Sequence, residues 1–164
     1  MLVLGIDPGI AIVGYGLVEK TKIGFKVVDY GVINTPKEET LPNRLKMVYD
    51  GVTYLIKKYK PDVMALEELF FQNNAKTAIS VAQARGVTVL AGLEQCGKLY
   101  EYTPLQIKQA LTGQGRAEKK QVQYMVKCIL NLNSIPKPDD AADALAVAIT
   151  HCQTNQNIGD FGIK

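Results

Sequence analysis

Four carboxylates, Asp7, Glu67, Asp140 and Asp143, have the types and positions to hold divalent cations. Their oxygens suit Mg2+ or Mn2+, and the absence of Cys and His from the set argues against zinc. Two such ions about 3.5–4 Å apart can activate a water and stabilise a leaving 3′-oxygen in an in-line displacement. That chemistry is phosphodiester hydrolysis. Each acid also has a plainer use when taken alone. Asp7 opens an Asp7-Pro8-Gly9 turn and suits an Asx-turn or a cap. Glu67 suits a solvated strand end. Asp140 and Asp143 suit first-turn acids that complement a helix dipole. The joint reading rests on three separate segments, each supplying an acid that can reach one end of a sheet.

The elements that must do this are legible in the apolar pattern. Residues 2–6 form a short apolar run that ends at the Asp7-Pro8-Gly9 turn. Residues 12–18 and 25–33 follow, rich in β-branched and aromatic side chains, and complete an antiparallel meander. Leu45, Val48, Val52, Leu55, Ile56 and Tyr59 recur at helical spacing until Pro61-Asp62. Residues 63–66 then read as a strand reached through a helix, and so parallel to an earlier one. Parallel pairing with the first strand puts Asp7 and Glu67 at the same sheet end, while alternation points Glu68 to the other face. A long helix over 75–93 is rich in small residues and apolar on more than one side, which suits packing on the sheet and on a second subunit, or burial within one domain. A fifth strand over 99–102 and helices over 104–111, 117–130 and 139–150 complete the chain, with a two-glycine loop over 112–116. Asp140 and Asp143, three apart on the last helix, share one face about 5–6 Å apart, and Asp139 is its expected N-cap. The fold class expected is α/β: a ribonuclease H-like, five-stranded mixed sheet flanked by helices.

Composition bounds the rest. A chain of 164 residues, 47% hydrophobic and 21% charged, can bury a core of its own and reads as globular. Residues 1–152 are expected to form one domain and 153–164 a short polar tail. The start, MLVLGIDPG, lacks a basic n-region and contains an acid, so neither a signal peptide nor export is expected. No apolar run approaches the roughly 20 residues of a membrane span. Cys96, Cys128 and Cys152 are scattered and form no CxxC pair, which fits a reduced cytoplasmic setting. The net charge of +3 is unevenly spread: residues 98–127 hold six basic side chains against Glu101 and Glu118, whereas residues 128–164 hold two against four acids. A basic stretch beside an acidic cluster suits a protein that grips a polyanion and binds metal.

These residues resemble the RuvC family of crossover junction endodeoxyribonucleases. The resemblance runs through Gly5-Ile6-Asp7-Pro8-Gly9 with Gly14-Tyr15-Gly16, Ala65-Leu66-Glu67, Gln83-Ala84-Arg85-Gly86 and Gln106-Ile107-Lys108-Gln109. It continues through Gly115-Arg116-Ala117-Glu118-Lys119 and Asp140-Ala141-Ala142-Asp143-Ala144-Leu145-Ala146. The order and spacing hold from residue 2 to about residue 152. The resemblance implies that Asp7, Glu67, Asp140 and Asp143 bind two Mg2+ per site, with Mn2+ able to substitute, and are catalytic. It implies that Lys108 and Lys119 contact or polarise the scissile phosphate, and that Phe70 stacks with bases at the junction point. Lys120 and Arg116 are expected to hold phosphates without reading sequence. Phe71 is expected beneath the loop, and His151 packed at a helix end. The implied substrate is four-way (Holliday) junction DNA, cut by paired symmetric nicks in recombination and repair. The implied partners are a second copy, through the helix over 75–93, and a branch-migration complex of the RuvA and RuvB type, with no membrane. The main rival is another ribonuclease H-like nuclease acting on RNA precursors.

Overall fold

The structure, a computed structural model of the chain, describes residues 1–69, 75–154 and 162–163. Strand β1 (Leu2–Asp7) pairs antiparallel with β2 (Ile12–Lys20), which pairs antiparallel with β3 (Phe25–Asn34). Helix α1 (Leu41–Tyr59) crosses to β4 (Val63–Glu67), parallel to β1, and α2 (Ala75–Gln95) crosses to β5 (Leu99–Tyr102), parallel to β4. The sheet order is β3-β2-β1-β4-β5. Helices α3 (Pro104–Thr112), α4 (Lys119–Ile129) and α5 (Asp139–Gln153) follow. The mixed sheet and its crossovers are as the apolar pattern predicts.

Strand alternation builds two cores. Leu4, Ile6, Val13, Leu17, Met64 and Leu66 face α1 and α2, where Val48, Val52, Leu55, Ile56 and Ala91 meet them. Val3, Val18, Val63, Ala65 and Tyr102 face the other side and pack with Ile107, Leu111, Val122, Val126 and most of α5. Helix α5 lies unusually close to the sheet. A Cβ on Gly5 would stand 2.1 Å from the Ala144 carbonyl oxygen, and one on Gly14 only 2.0 Å from that of Asp140. Two strands that drop their side chains where α5 crosses let its backbone sit directly on theirs.

Of the boundaries that differ from the pattern-based expectation, three lie near the candidate site. Helix α5 begins with Pro138 as N-cap, not Asp139. The Asp139 carboxylate instead takes the Lys137 ammonium at 2.7 Å, so its charge is met by a side chain rather than by backbone N–H groups. Helix α4 starts at Lys119 rather than residue 117, because the buried Ala117 closes the preceding loop onto the core. Thr112 ends α3 rather than opening the loop, and the left-handed Gly113 (φ 74°) stops it. Its start is a capping box: the Gln106 N–H donates to Thr103 Oγ1 at 3.2 Å, and the Thr103 N–H donates to Gln106 Oε1 at 2.7 Å.

Among the described residues no helix is long and apolar enough to cross a membrane. His151 is fully buried in the core, with Nδ1 2.8 Å from the Tyr102 hydroxyl and its ring 4.5 Å from that of Tyr100. Burial, aided by the Lys20 charge, pushes its pKa down to about 4, so it packs as a neutral ring.

Candidate active site

The chain brings its acids together through strand order. Asp7 ends β1 and Glu67 ends β4, and the register Ile6↔Leu66 sets them side by side at the same sheet end. Asp7 also pairs with Gly14 on β2, and Gly14 touches the Asp140 backbone, so the first turn of α5 lies over that corner. Asp143 follows one turn later on the same face of α5. Its carboxylate is joined by Lys119 Nζ at 2.7 Å, from the first residue of α4. An open cleft of about 320 Å³ runs beside this cluster, lined by Glu67, Lys108, Lys119 and Asp143, with Pro104, Ile107, Val122 and Ala146 as its apolar walls.

The electrostatics are those of crowded like charges. Burial raises the Asp7 carboxyl to about 8, and the charges of Glu67, Asp143 and Asp140 push it the same way. Burial raises Glu67 to about 7, with Asp143 adding to it, while Lys119 and Lys108 oppose. Asp143 is raised as well, by burial first, although the Lys119 hydrogen bond and charge pull against that. Burial disfavours the Lys119 ammonium, but the hydrogen bond and charge of Asp143, with Asp139 and Asp7, outweigh it and hold Lys119 above the usual lysine value. Carboxylates so close and so poorly solvated repel unless protons or a cation intervene. An all-oxygen donor set of this kind fits a hard divalent ion.

The fit is one of chemistry and placement rather than a finished cage. Among the described residues no group of three or more His, Cys, Asp or Glu side chains stands ready to hold a metal ion. The Lys119 ammonium, bound to Asp143 and 4.0 Å from Asp139, is the cation the acids now share. Side-chain rotation of Lys119 away from Asp143 would free that carboxylate for a metal.

The structure thus gathers Asp7, Glu67, Asp140, Asp143, Lys108 and Lys119 at one sheet end. Arg116 and Lys120 are exposed beside it, in the α3–α4 loop and the first turn of α4. Phe70 and Phe71 lie outside the described residues. His151 sits in the core and takes no part in the cleft. Sequence reasoning missed the direct Lys119–Asp143 contact, which joins residues 24 apart and leaves no local signal. Gly14, part of the Gly14-Tyr15-Gly16 stretch, is where α5 touches the sheet, a contact that local sequence does not signal.

Comparison with known proteins identifies relatives of nearly the whole chain. A family model described as "Crossover junction endodeoxyribonuclease RuvC" matches residues 3–151. A protein of that name from Halothermothrix orenii is 59% identical over 164 residues, covering 100% of this chain and 99% of the relative. Among solved structures, that titled "T. thermophilus RuvC in complex with Holliday junction substrate" is 37% identical, with TM-score 0.88 over 93% of each chain. The yeast mitochondrial Holliday junction resolvase, at 15% identity and TM-score 0.70 over 92% of this chain and 77% of its own, shares the fold.

Proposed function

Because the chain belongs to the RuvC family of crossover junction endodeoxyribonucleases, we propose that it resolves four-way (Holliday) junctions by paired symmetric nicks, in recombination and DNA repair. The observation that carries the chemistry is the burial of Asp7 and Glu67 side by side, with carboxyls raised to about 8 and about 7, against Asp143. An RNA-processing nuclease on the same fold is not favoured, since the relatives carry the junction name and one solved relative holds a Holliday junction.

Asp7, Glu67, Asp140 and Asp143 would hold two Mg2+ ions, with Mn2+ able to replace them. When bound, these ions supply an activated water and neutralise charge on the leaving 3′-oxygen. The protein's own side chains do the remaining work. The two acids on strand ends are fixed by the sheet, and the two on α5 by its close seat on Gly5 and Gly14, so the donors are held before substrate arrives. Lys119, once it leaves Asp143, can place its ammonium against a scissile phosphate oxygen, with Lys108 from α3 on the same cleft wall. Arg116 and Lys120 add sequence-independent phosphate contacts. Phe70 would stack with bases at the junction point.

A junction has twofold symmetry, and two symmetric nicks need two sites related in the same way. The face of α2 carrying Ile79 (65% exposed), Leu90 (47%) and Leu93 (59%) supports a homodimer through that helix. Action in the cytoplasm beside a branch-migration complex of the RuvA and RuvB type completes the proposal.

The test is cleavage of a synthetic four-way junction beside a plain duplex of the same sequence, with Mg2+ and with EDTA. Paired nicks in the junction alone, lost with EDTA, are expected. Equal cutting of both DNAs would remove the junction assignment. Lys119→Met is expected to lower kcat about 10²–10³-fold, the range for losing one preorganised oxyanion partner. Unchanged single-turnover rates for that variant would take Lys119 out of the chemistry.

A further inference from the structure

The turn that follows Asp7 is held from outside its own hairpin. Asp7 ends β1, and the chain turns through Pro8, Gly9, Ile10 and Ala11 before Ile12 opens β2. The turn is tight, since a Cβ on Gly9 would stand 2.1 Å from the Ile12 carbonyl oxygen. Pro8 is buried, but Ala11 and Ile12 are exposed, so apolar packing secures only the inner half of the turn. The outer half is tied by Thr35, the first residue after β3. The Thr35 N–H donates to the Ala11 carbonyl at 3.0 Å, and its hydroxyl donates to the Ile10 carbonyl. The same hydroxyl accepts the Arg44 Nε–H at 2.9 Å, from the start of α1. A guanidinium can only donate, so this bond leaves the hydroxyl proton directed at Ile10. Thr35 is 4% exposed, and the three bonds satisfy it fully in that buried place.

The sheet sets where Asp7 stands, through its pairing with Gly14 and the neighbouring Ile6↔Leu66 pair. Burial and neighbouring charges, rather than hydrogen bonds, act on its carboxyl, so the side chain takes its direction from backbone and packing. The peptide that leaves Asp7 belongs to the turn, and a shift of Ile10 and Ala11 would be passed back through two residues. We propose that Thr35 and Arg44 are positioning residues for the nuclease: by locking Ile10 and Ala11 they fix the direction of the Asp7 carboxylate. The inference rests on the nuclease reading above. Outer partners of this kind set the orientation of a metal-binding side chain without touching the metal. Neither residue lies near Asp7 in sequence, and the contact joins the end of β3 and the start of α1 to the site.

The experiment compares the full-length chain with Thr35→Val, Thr35→Ser and Arg44→Met. It reads the Mg2+ concentration at which the melting temperature starts to rise, without DNA, and kcat on a synthetic four-way junction well below melting. Thr35→Val keeps the shape but leaves the Ile10 carbonyl and Arg44 Nε without their partner. It is expected to raise the Mg2+ onset about tenfold. Its kcat at saturating Mg2+ is expected to fall about ten- to a hundredfold, as for a small misplacement of a reacting group. Junction affinity in EDTA should stay at the wild-type value. Arg44→Met is expected to raise the onset roughly threefold, a smaller effect because Thr35 itself remains. Thr35→Ser keeps the hydroxyl and should lie within about twofold of wild type. A Thr35→Val protein that only melts earlier, with wild-type onset and kcat, would overturn the proposal. A Thr35→Ser protein as impaired as Thr35→Val would do the same. Where Thr35→Val fails to fold, Arg44→Met with a wild-type onset overturns it. A wild-type chain that neither gains stability from Mg2+ nor cleaves junctions removes the nuclease reading, and this inference with it.

Discussion

Asp7→Asn is expected to reduce junction cleavage at least about a thousandfold and, in the same protein, to raise the melting temperature of the metal-free form. The first effect follows from removing a charged oxygen donor at the one position that borders Glu67, Asp140 and Asp143 together. Loss of metal-based charge stabilisation is worth several kcal/mol, and about 4 kcal/mol is a thousandfold. The second follows from linkage. The Asp7 carboxyl titrates near 8 in the fold, against 3.8 for an ordinary aspartate. The folded state therefore binds more protons than the unfolded state between those two values. Its contribution to stability is fully present below about pH 4 and is lost as pH rises towards 8. Glu67, raised to about 7, acts in the same direction.

The metal-free protein should thus melt at a lower temperature at pH 8 than at pH 6. Asp7→Asn, which cannot ionise, should flatten that dependence. Its gain at pH 8 is on the order of 2 kcal/mol, or about 4–8 °C for a chain of this size. Calorimetry in EDTA across pH 5.5–8.5, with and without the substitution, measures both. A melting temperature that rises with pH in the wild-type chain, or an Asn variant less stable than wild type at pH 8, would contradict the crowded-carboxylate account. Added Mg2+ should raise the wild-type melting temperature at pH 8 and leave the variant nearly unmoved, because a ligand stabilises only the state that binds it.

Gly14→Ala carries the second large effect, and it acts through backbone position. The new Cβ would lie 2.0 Å from the Asp140 carbonyl oxygen and 2.5 Å from its carbonyl carbon. Neither atom belongs to a flexible side chain, so α5 must lift from β2. Overpacking of this kind costs about 1–3 kcal/mol, which lowers the melting temperature by roughly 3–10 °C. The catalytic cost is expected to exceed what stability alone would imply. Asp140 and Asp143 ride on the displaced turn, and misplacement by about 1 Å costs on the order of a hundredfold. The discriminating measurement is turnover well below the melting temperature, at saturating DNA and over a series of Mg2+ concentrations. A higher Mg2+ requirement with lowered kcat is the expected result. Full activity at ordinary Mg2+ would show that the depth of α5 does not set the acid spacing.

The sequence by itself determined the sheet, its mixed pairing and most element boundaries. Alternation and helical spacing are local consequences of burying one face, and they are strong in residues 2–7, 45–59 and 63–67. It also offered side chains whose oxygens suit a hard metal, since donor chemistry belongs to residue type. Asp139 does not cap α5 as its type suggests, because capping depends on competition between backbone and side-chain partners, and the Lys137 ammonium holds its carboxylate. The helical pattern places His151 at a helix end, and its burial against Tyr100 and Tyr102 depends on a single strand, β5, about 50 residues earlier. Only the tertiary structure decided how far each acid is desolvated, because burial of Asp7 and Glu67 is set by α5 lying over their strands. It alone placed Lys119 on Asp143. Contacts between residues far apart in the chain are fixed by how helices seat on the sheet, and here that seat is a pair of missing side chains at Gly5 and Gly14.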